Sequence, residues 1–326
     1  MSEVDGNPTL SVVIPIFNEE ETLGVLYERL SAALIASGET FEVLFINDGS
    51  RDRSEIILRE IHHKDSRFKS IHFSRNFGHQ TAVTCGFDHA RGQAVVAMDG
   101  DLQDPPEVLP DLLARWREGY DVVYAVRQKR KEGLIKRSAY KAFYWLLRRV
   151  SYLDIPLDSG DFSLVDRKVV DVLKSMPERN RFVRGLRTWA GFRQVGYEYA
   201  REARFAGQSK YDLARLMKLA FDGLVSYSYV PLRLVSNVGL FVSCTALAYM
   251  AYLIVARVFG GTPIEGWTST VVIVLFLGGV QLLSLGVIGE YIGRIFEEVK
   301  RRPHYVVRDR VGLGDDRALP RGGESS

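Results

Sequence analysis

The chain has 326 residues, room for about two domains. Its 43 Lys and Arg against 40 Asp and Glu leave a formal charge of +3, too small to argue for a nucleic-acid partner. The near-neutral mean hydropathy averages a polar front half with a strongly apolar stretch and describes neither. Cys85 and Cys244 lie far apart, and Cys244 falls inside the apolar stretch, so no disulfide is expected.

The first apolar run, Leu10–Phe17, is too short for a signal peptide, and Glu3 and Asp5 stand where its basic region would be. The front half is therefore expected to stay in the cytoplasm. Leu10–Ile16, Phe41–Ile46, Phe68–Phe73 and Ala94–Met98 read as strands covered on both faces. Glu20–Ala36, Asp52–His63 and Gln80–Ala90 read as helices between them, with Asp52 as an N-terminal cap. Asp121–Ala125 is a weaker fifth strand. This alternation predicts a mostly parallel α/β sheet, and ligands gather beyond the carboxyl ends of such strands. Three polar clusters fall there: Pro15-Ile16-Phe17-Asn18-Glu19, Asn47-Asp48-Gly49-Ser50 and Asp99-Gly100-Asp101.

Farther on, Arg127, Lys129, Arg130, Lys131, Lys136, Arg137, Lys141, Arg148 and Arg149 face the single acid Glu132. A solvated helix face would account for the charges alone. Interleaved Tyr140, Phe143, Tyr144, Trp145, Leu146 and Leu147 point instead to an amphipathic helix at an anionic membrane surface.

Two uncharged stretches follow, Leu234–Ala256 and Gly266–Gly289. At about 1.5 Å per residue each covers roughly 35 Å, enough to cross a hydrocarbon core of about 30 Å. Only Arg257–Glu265 separates them, so a transmembrane hairpin with both flanks on one side is expected. Arg294, Lys300, Arg301 and Arg302 follow the second span, which puts both ends in the cytoplasm. Two spans per chain commonly associate with copies of themselves, so a homo-oligomer is expected. The expected domains are 1–230 as a catalytic unit with interfacial helices near 136–152 and 211–230, 231–293 as the hairpin, and 294–326 as a basic segment with a disordered tail from Gly312.

Asp99 and Asp101, one residue apart where a strand enters a loop, can aim hard oxygen ligands at one divalent cation, Mg²⁺ or Mn²⁺, which commonly bridges carboxylates to a diphosphate. A lone Asp-x-Asp is also an ordinary polar loop. The run Asp99-Gly100-Asp101-Leu102-Gln103-Asp104-Pro105-Pro106-Glu107, with Pro15…Asn18-Glu19 and Asn47-Asp48-Gly49-Ser50-Arg51-Asp52, closely resembles family 2 glycosyltransferases of the GT-A fold. More narrowly, the chain is similar from about Leu10 to Lys300 to the polyprenyl-phosphate glycosyltransferases. These include dolichol-phosphate mannose synthase and bacterial GtrB-type glucosyltransferases.

By that resemblance Pro15, Phe17 and Glu19 border the nucleoside and Asp48 contacts the base or ribose. Phe17 replaces the more usual Tyr, keeping a stacking face without the hydroxyl. Asp99 sits at the sugar–ribose side, Asp101 holds the metal and Gln103 supports that site. Ser74-Arg75-Asn76-Phe77-Gly78-His79-Gln80 also matches, with His79 where relatives often carry Lys; Arg75 is either a donor ligand or a helix-start residue. Arg204-Phe205-Ala206-Gly207-Gln208-Ser209-Lys210 fits the family's Arg-x-x-Gly-x-Ser-Lys loop, a phosphate clamp in which Arg204, Ser209 and Lys210 act. Arg127, Lys129 and Arg130 supply further positive charge for the acceptor. Asp158-Ser159-Gly160-Asp161-Phe162 resembles the family's acceptor region and nominates Asp161 as a catalytic group, although the same residues are good turn chemistry.

The resemblance implies inverting transfer of a sugar, with glucose from UDP-glucose favoured and GDP-mannose or a UDP-aminoarabinose derivative open, to polyprenyl phosphate. A phosphate monoester is largely ionised near neutrality, so positioning and leaving-group stabilisation outweigh general-base catalysis. A bacterial inner membrane is the expected location, with the endoplasmic reticulum as the alternative. A processive polysaccharide synthase would need a Gln-x-x-Arg-Trp element, and a nicotinamide-dependent oxidoreductase a Gly-x-Gly-x-x-Gly turn after the first strand. Neither is present. A membrane-tethered scaffold with a dead site is the non-enzymatic alternative, and the retained Asp99 and Asp101 argue against it.

Overall fold

The computed structural model describes residues 7–127, 159–179, 181–200, 230–259 and 266–314. The basic segment from 128 with the helix expected at 136–152, all but the last residue of the helix expected at 211–230, the loop holding Arg204, Ser209 and Lys210, and residues Lys129, Arg130 and Asp158 lie outside the described residues. Two compact units emerge. The first takes in the described residues to 200 and also 302–314; the second holds 230–259 and 266–301.

The first unit starts as the sequence pattern predicts. Strands β1 (Leu10–Ile16), β2 (Phe41–Asn47), β3 (Phe68–Phe73) and β4 (Ala94–Ala97) alternate with helices α1 (Leu23–Ala36), α2 (Ser54–Lys64) and α3 (His79–His89). The pairs β1–β2, β1–β4 and β2–β3 are parallel. Their near-continuous apolar character has a direct cause, since both sheet faces are covered. Val12, Ile14, Ile16, Val43 and Phe45 join Leu23, Leu26, Leu30 and Leu34 of α1 and Leu58 and Ile61 of α2 in one core. The intervening Val13, Leu44 and Ile46 join Ala82, Val83, Cys85 and Phe87 of α3 in the other. At Gly86 of α3 an added Cβ would lie 1.9 Å from Val13 Cγ1, so glycine is what lets this helix touch β1.

Helix α4 (Leu109–Arg117), preceded by a 3-10 turn at Pro106–Val108, and β5 (Val122–Arg127) come next. Three strands were not foreseen: β6 (Ser159–Asp166), β7 (Gln194–Tyr199) and β8 (Val307–Val311). The full order is β7-β5-β6-β4-β1-β2-β3-β8. β6 runs antiparallel between β4 and β5, β7 is parallel to β5, and β8 is antiparallel to β3. The sheet is thus mixed, with its parallel pairs in the majority. Helices α5 (Arg167–Ser175) and α6 (Val183–Trp189) add Val169, Val170, Leu173, Val183 and Leu186 to the second core.

Three expectations change. The Ser159–Phe162 stretch, nominated for the acceptor region with a turn as the alternative, is the start of β6, because Phe162, Leu164 and Val165 have core to enter. The stretch expected as a basic segment after the second span instead supplies β8, just ahead of the tail expected from Gly312. Asp52 is not the N-cap of α2; Arg53 holds that position without a side-chain bond. Asp52 still receives the Ser54 N–H (3.0 Å), and its other oxygen takes the Glu20 N–H (3.1 Å).

The second unit consists of α7 (Val230–Val258) and α8 (Trp267–Val299), both long and apolar enough to cross a membrane. Gly239, Val242 and Ser243 of α7 face Leu277, Val280, Gln281 and Ser284 of α8 across a shallow groove. Helix α8 outruns the expected end at Gly289 by ten residues, since nothing breaks it there and Glu290 pairs with Arg294 one turn on (3.0 Å).

Candidate active site

The carboxyl ends of β1, β2 and β4 open onto loops that are tied to one another. Asn18, in the left-handed region at φ 56°, donates its N–H to Ser50 Oγ (3.0 Å) and accepts the Arg51 N–H on Oδ1 (2.9 Å). Glu19 N–H reaches Ser54 Oγ (3.0 Å), and Thr22 Oγ1 donates to Glu19 Oε2 (3.0 Å). Pro15 is tolerated in a central strand because β4 pairing stops at Val13↔Ala97, so its missing N–H leaves no ladder bond open. Beyond it the Phe17 ring is 45 % exposed, a free stacking face.

Asp48 is buried and accepts two backbone N–H groups, from Phe77 (2.6 Å) and Gly78 (2.9 Å). Burial lifts its pKa above the ordinary carboxylate value despite those donors. It therefore fixes the loop between β3 and α3. Gly49 (φ 69°) completes the fit, since a Cβ there would lie 2.5 Å from the Arg75 carbonyl carbon. Arg75 lies with Cζ 4.1 Å over the Phe77 ring and donates to Asn76 O (3.0 Å).

Past β4 the chain turns sharply. At Gly100 a Cβ would meet Ile16 Cδ1 at 2.8 Å and Pro15 O at 3.3 Å, a tight fit, and Leu102 takes φ 59° while burying its side chain. Such a backbone costs about 1–3 kcal/mol and persists where the surroundings enforce it. Asp101 Oδ1 accepts the Gln103 backbone N–H (3.1 Å), so it is the main chain of Gln103 that steadies Asp101. Asp104, fully buried, accepts the Tyr199 hydroxyl.

The antiparallel register of β6 on β4 (Ala97↔Ser163), extended two residues past the last pair, puts Asp161 opposite Asp99. His79, first residue of α3, stands between them, with Nε2 3.5 Å from Asp99 Oδ1 and 3.4 Å from Asp161 Oδ2. Gln80 Nε2 donates to Asp161 Oδ2 (2.9 Å), while its Oε1 accepts the Val183 N–H (2.9 Å). Arg184 Nη2 lies 3.4 Å from Asp161 Oδ1. Burial works against the His79 charge, but the bond to Asp161 and the charges of Asp99, Asp161 and Asp48 raise its pKa above the usual value. Burial, opposed by His79 and reinforced by Asp104, Asp161 and Asp101, pushes Asp99 up to about 6. For Asp161 burial is overcome by His79, Arg184 and Gln80, which hold its carboxyl well below the usual range. A carboxylate so acidic is a poor proton acceptor near neutrality.

Sequence reasoning missed Arg184 and Arg187 and gave Gln80 no role. Arg187 is 1 % exposed, its Cζ 5.3 Å from the Tyr124 ring centre, and burial with Arg184 nearby lowers its pKa to about 10. The available signal was position: Arg187 falls four residues after Val183, on the apolar face of α6. Arg127 ends β5.

Among the described residues no group of three or more His, Cys, Asp or Glu is arranged to hold a metal by itself. Two carboxylates on a strained turn nevertheless fit Mg²⁺ or Mn²⁺, which keep few protein ligands and complete their shell with substrate phosphate and water. Asp99 and Asp101 would be those ligands.

The mixed sheet, the acidic loop ends at its carboxyl edge and the apolar helix pair are the parts expected of a membrane-anchored glycosyltransferase of the GT-A class, and the comparisons with known proteins show that class. The description "Glycosyl transferase family 2" matches residues 11–173, and "GtrB C-terminal hairpin" matches 230–295. The chain belongs to glycosyl transferase family 2 and carries the membrane-associated GtrB hairpin. The uncharacterised glycosyltransferase YkcC of Bacillus subtilis is 48 % identical over 94 % of this chain and 95 % of its own length. The prophage-derived bactoprenol glucosyl transferase of Shigella flexneri is 42 % identical over 92 % of this chain and 97 % of its own. The prophage bactoprenol glucosyl transferase homolog of Escherichia coli is 40 % identical over 92 % and 98 %.

Proposed function

We propose that the protein transfers glucose, with inversion, from UDP-glucose to polyprenyl phosphate at the cytoplasmic face of a bacterial inner membrane. The observation that carries this reading is the meeting of Asp99, two residues past β4, with Asp161, from β6, across His79 beside the Asp48 loop. Relatives named for glucosyl transfer to bactoprenol support the sugar and the acceptor. Phe17, Pro15, Glu19, Asp48 and Arg75 border the nucleotide. Asp99, Asp101 and Gln103 form the cation site, and a bound Mg²⁺ or Mn²⁺ supplies charge stabilisation for the departing diphosphate. The lipid phosphate oxygen attacks C1 as the bond from C1 to the UDP oxygen breaks, so no proton need move at the acceptor. Asp161, ionised and held by Gln80 and Arg184, orients His79 and the reacting groups. Arg127, Lys129, Arg130, Arg204 and Lys210 offset the acceptor's charge, and the Ser209 hydroxyl donates to its phosphate. Self-association of the exposed helix pair into a homo-oligomer completes the reading.

The test is transfer of label to polyprenyl phosphate by the full chain in lipid, from UDP-[¹⁴C]glucose and, in parallel reactions, from labelled UDP-aminoarabinose and GDP-mannose. Solvent-extractable label that needs Mg²⁺ or Mn²⁺ is expected; label from GDP-mannose alone, or none, overturns the assignment. For orientation, reporters at Ser2 and Ala318 should read cytoplasmic and one at Gly261 external.

A further inference from the structure

Residues 302–314 follow the second apolar helix, lie outside both matched family regions, and yet belong to the catalytic unit. Strand β8 borders β3 with Ser70↔Val311, Ile71↔Arg310, His72↔Asp309 and Phe73↔Val307 in register. Pairing continues past the ladder, where Ser74 N–H reaches Val306 O (3.0 Å). Tyr305 stacks on Phe73 (centroids 5.1 Å apart, planes at 15°), and its hydroxyl donates to Asp88 Oδ2 of α3 (2.9 Å). Phe73 in turn meets Phe77 edge-on at 5.6 Å. Phe77 and Gly78 are the residues whose N–H groups hold Asp48, and Gly49 is packed against Arg75 and Asn76 without room for a methyl group. An unbroken set of contacts thus runs from Tyr305 through Phe73 and Phe77 to Asp48. Outer pairs keep the strand in place: Arg59 with Asp309, and Arg308 with Glu55.

We propose that residues 302–311 are a positioning strap for the donor pocket: the chain returning from the hairpin clamps the 74–78 loop so that Asp48 and His79 are set for the nucleotide. The proposal rests on the reading of the Asp48 loop as the donor side. Tyr305 is a positioning residue, since it touches no residue assigned to substrate. Its ring supplies the clamp, with the hydroxyl secondary. One observation favours a role beyond stability: the clamp sits at the end of β3, directly before the 74–78 loop whose Phe77 and Gly78 N–H groups hold Asp48.

The test uses full-length protein in detergent or nanodiscs with Tyr305→Ala, Tyr305→Phe and, as a control on the same strand, Arg308→Ala. Hydrogen exchange across 74–80 is read without ligand; dissociation constants for UDP and GDP and separate KM values for donor and acceptor are read alongside. Expected for Tyr305→Ala are at least tenfold faster exchange at 77–78, a roughly tenfold weaker nucleotide Kd, and an acceptor KM within twofold of the parent. Tyr305→Phe and Arg308→Ala should stay within threefold throughout. Unchanged exchange at 77–78 overturns the strap, as does a lower melting temperature with nucleotide Kd intact, or equal rises in both KM values. A parent protein that binds neither nucleotide would instead remove the donor reading, while the exchange data still decide whether Tyr305 holds the loop.

Discussion

In the sheet, Leu10, Val12 and Ile14 have no exposed surface, whereas Leu240, Phe241, Leu282 and Leu283 of the helix pair are 65, 73, 72 and 68 % exposed. The residue types are the same, so composition does not separate the two regions. Pairing does. In the catalytic unit, strands far apart in sequence cover one another and helices seal both faces. In the helix pair the backbone groups of each helix interior are satisfied within that helix, and the side chains face outward to a solvent that must itself be apolar. One region is held by what the chain brings together, the other by what surrounds it.

That contrast breaks if a substitution in one region disturbs the other. The largest expected effect is on chemistry alone. Asp101→Asn should lower transfer by about 10²–10³, as loss of one preorganised charge-stabilising group typically does, and EDTA should silence the parent enzyme. Membrane extraction and melting temperature should not move, and full activity in chelator would sink the cation site. Next comes Phe241→Arg, centrally placed in the apolar window Leu232–Tyr249, at about 2.5–3.5 kcal/mol against insertion. Carbonate-resistant membrane protein should fall while the thermal midpoint of the catalytic unit stays put.

Asp161→Asn sharpens the comparison inside the catalytic unit. It should reduce kcat tenfold to a hundredfold with nucleotide Kd unchanged, because Gln80 and Arg184 hold it on the β6 side of the site. Weaker nucleotide binding would assign it to the scaffold. Gly86→Ala forces a methyl group onto Val13 and should cost about 1–3 kcal/mol of stability, read as a lower denaturation midpoint with membrane insertion untouched. The smallest effect is on pH dependence. Glu42 is buried, which alone would raise its pKa, but Lys69 (2.8 Å), Ser11 (2.7 Å) and the Arg91 N–H (2.8 Å) bring it below the ordinary 4.5. A depressed folded pKa contributes stability that is whole above 4.5 and is lost as pH falls toward the folded value. Glu42→Gln should flatten the acid limb of the melting curve by about 1 kcal/mol.

Legibility tracks contact range. β1 matches its expected bounds because a strand buried on both faces writes itself as a nearly unbroken apolar run, and β3 matches on Phe68, Ile71 and Phe73 although Lys69, Ser70 and His72 interrupt them. β8, Val-Arg-Asp-Arg-Val, is an edge strand with three charged residues in five, which reads like a tail. β6 opens with Ser159-Gly160-Asp161, residues equally suited to a turn. The acidic loops after β1, β2 and β4 were visible as clusters, since each comes from one short segment. Arg184 and Gln80 were not, because their meeting with Asp161 depends on α3, α6 and β6 arriving together.

The sequence by itself determined the alternation that builds the parallel half of the sheet, the acidic loop ends and the two apolar helices, all of which rest on local periodicity and side-chain chemistry. Tertiary structure alone decided that Asp161 faces Asp99, that His79 lies between them and that residues 302–314 return to the sheet beside β3. Those outcomes depend on strand order and register, and a register is settled by which faces can be buried together, which no single segment encodes.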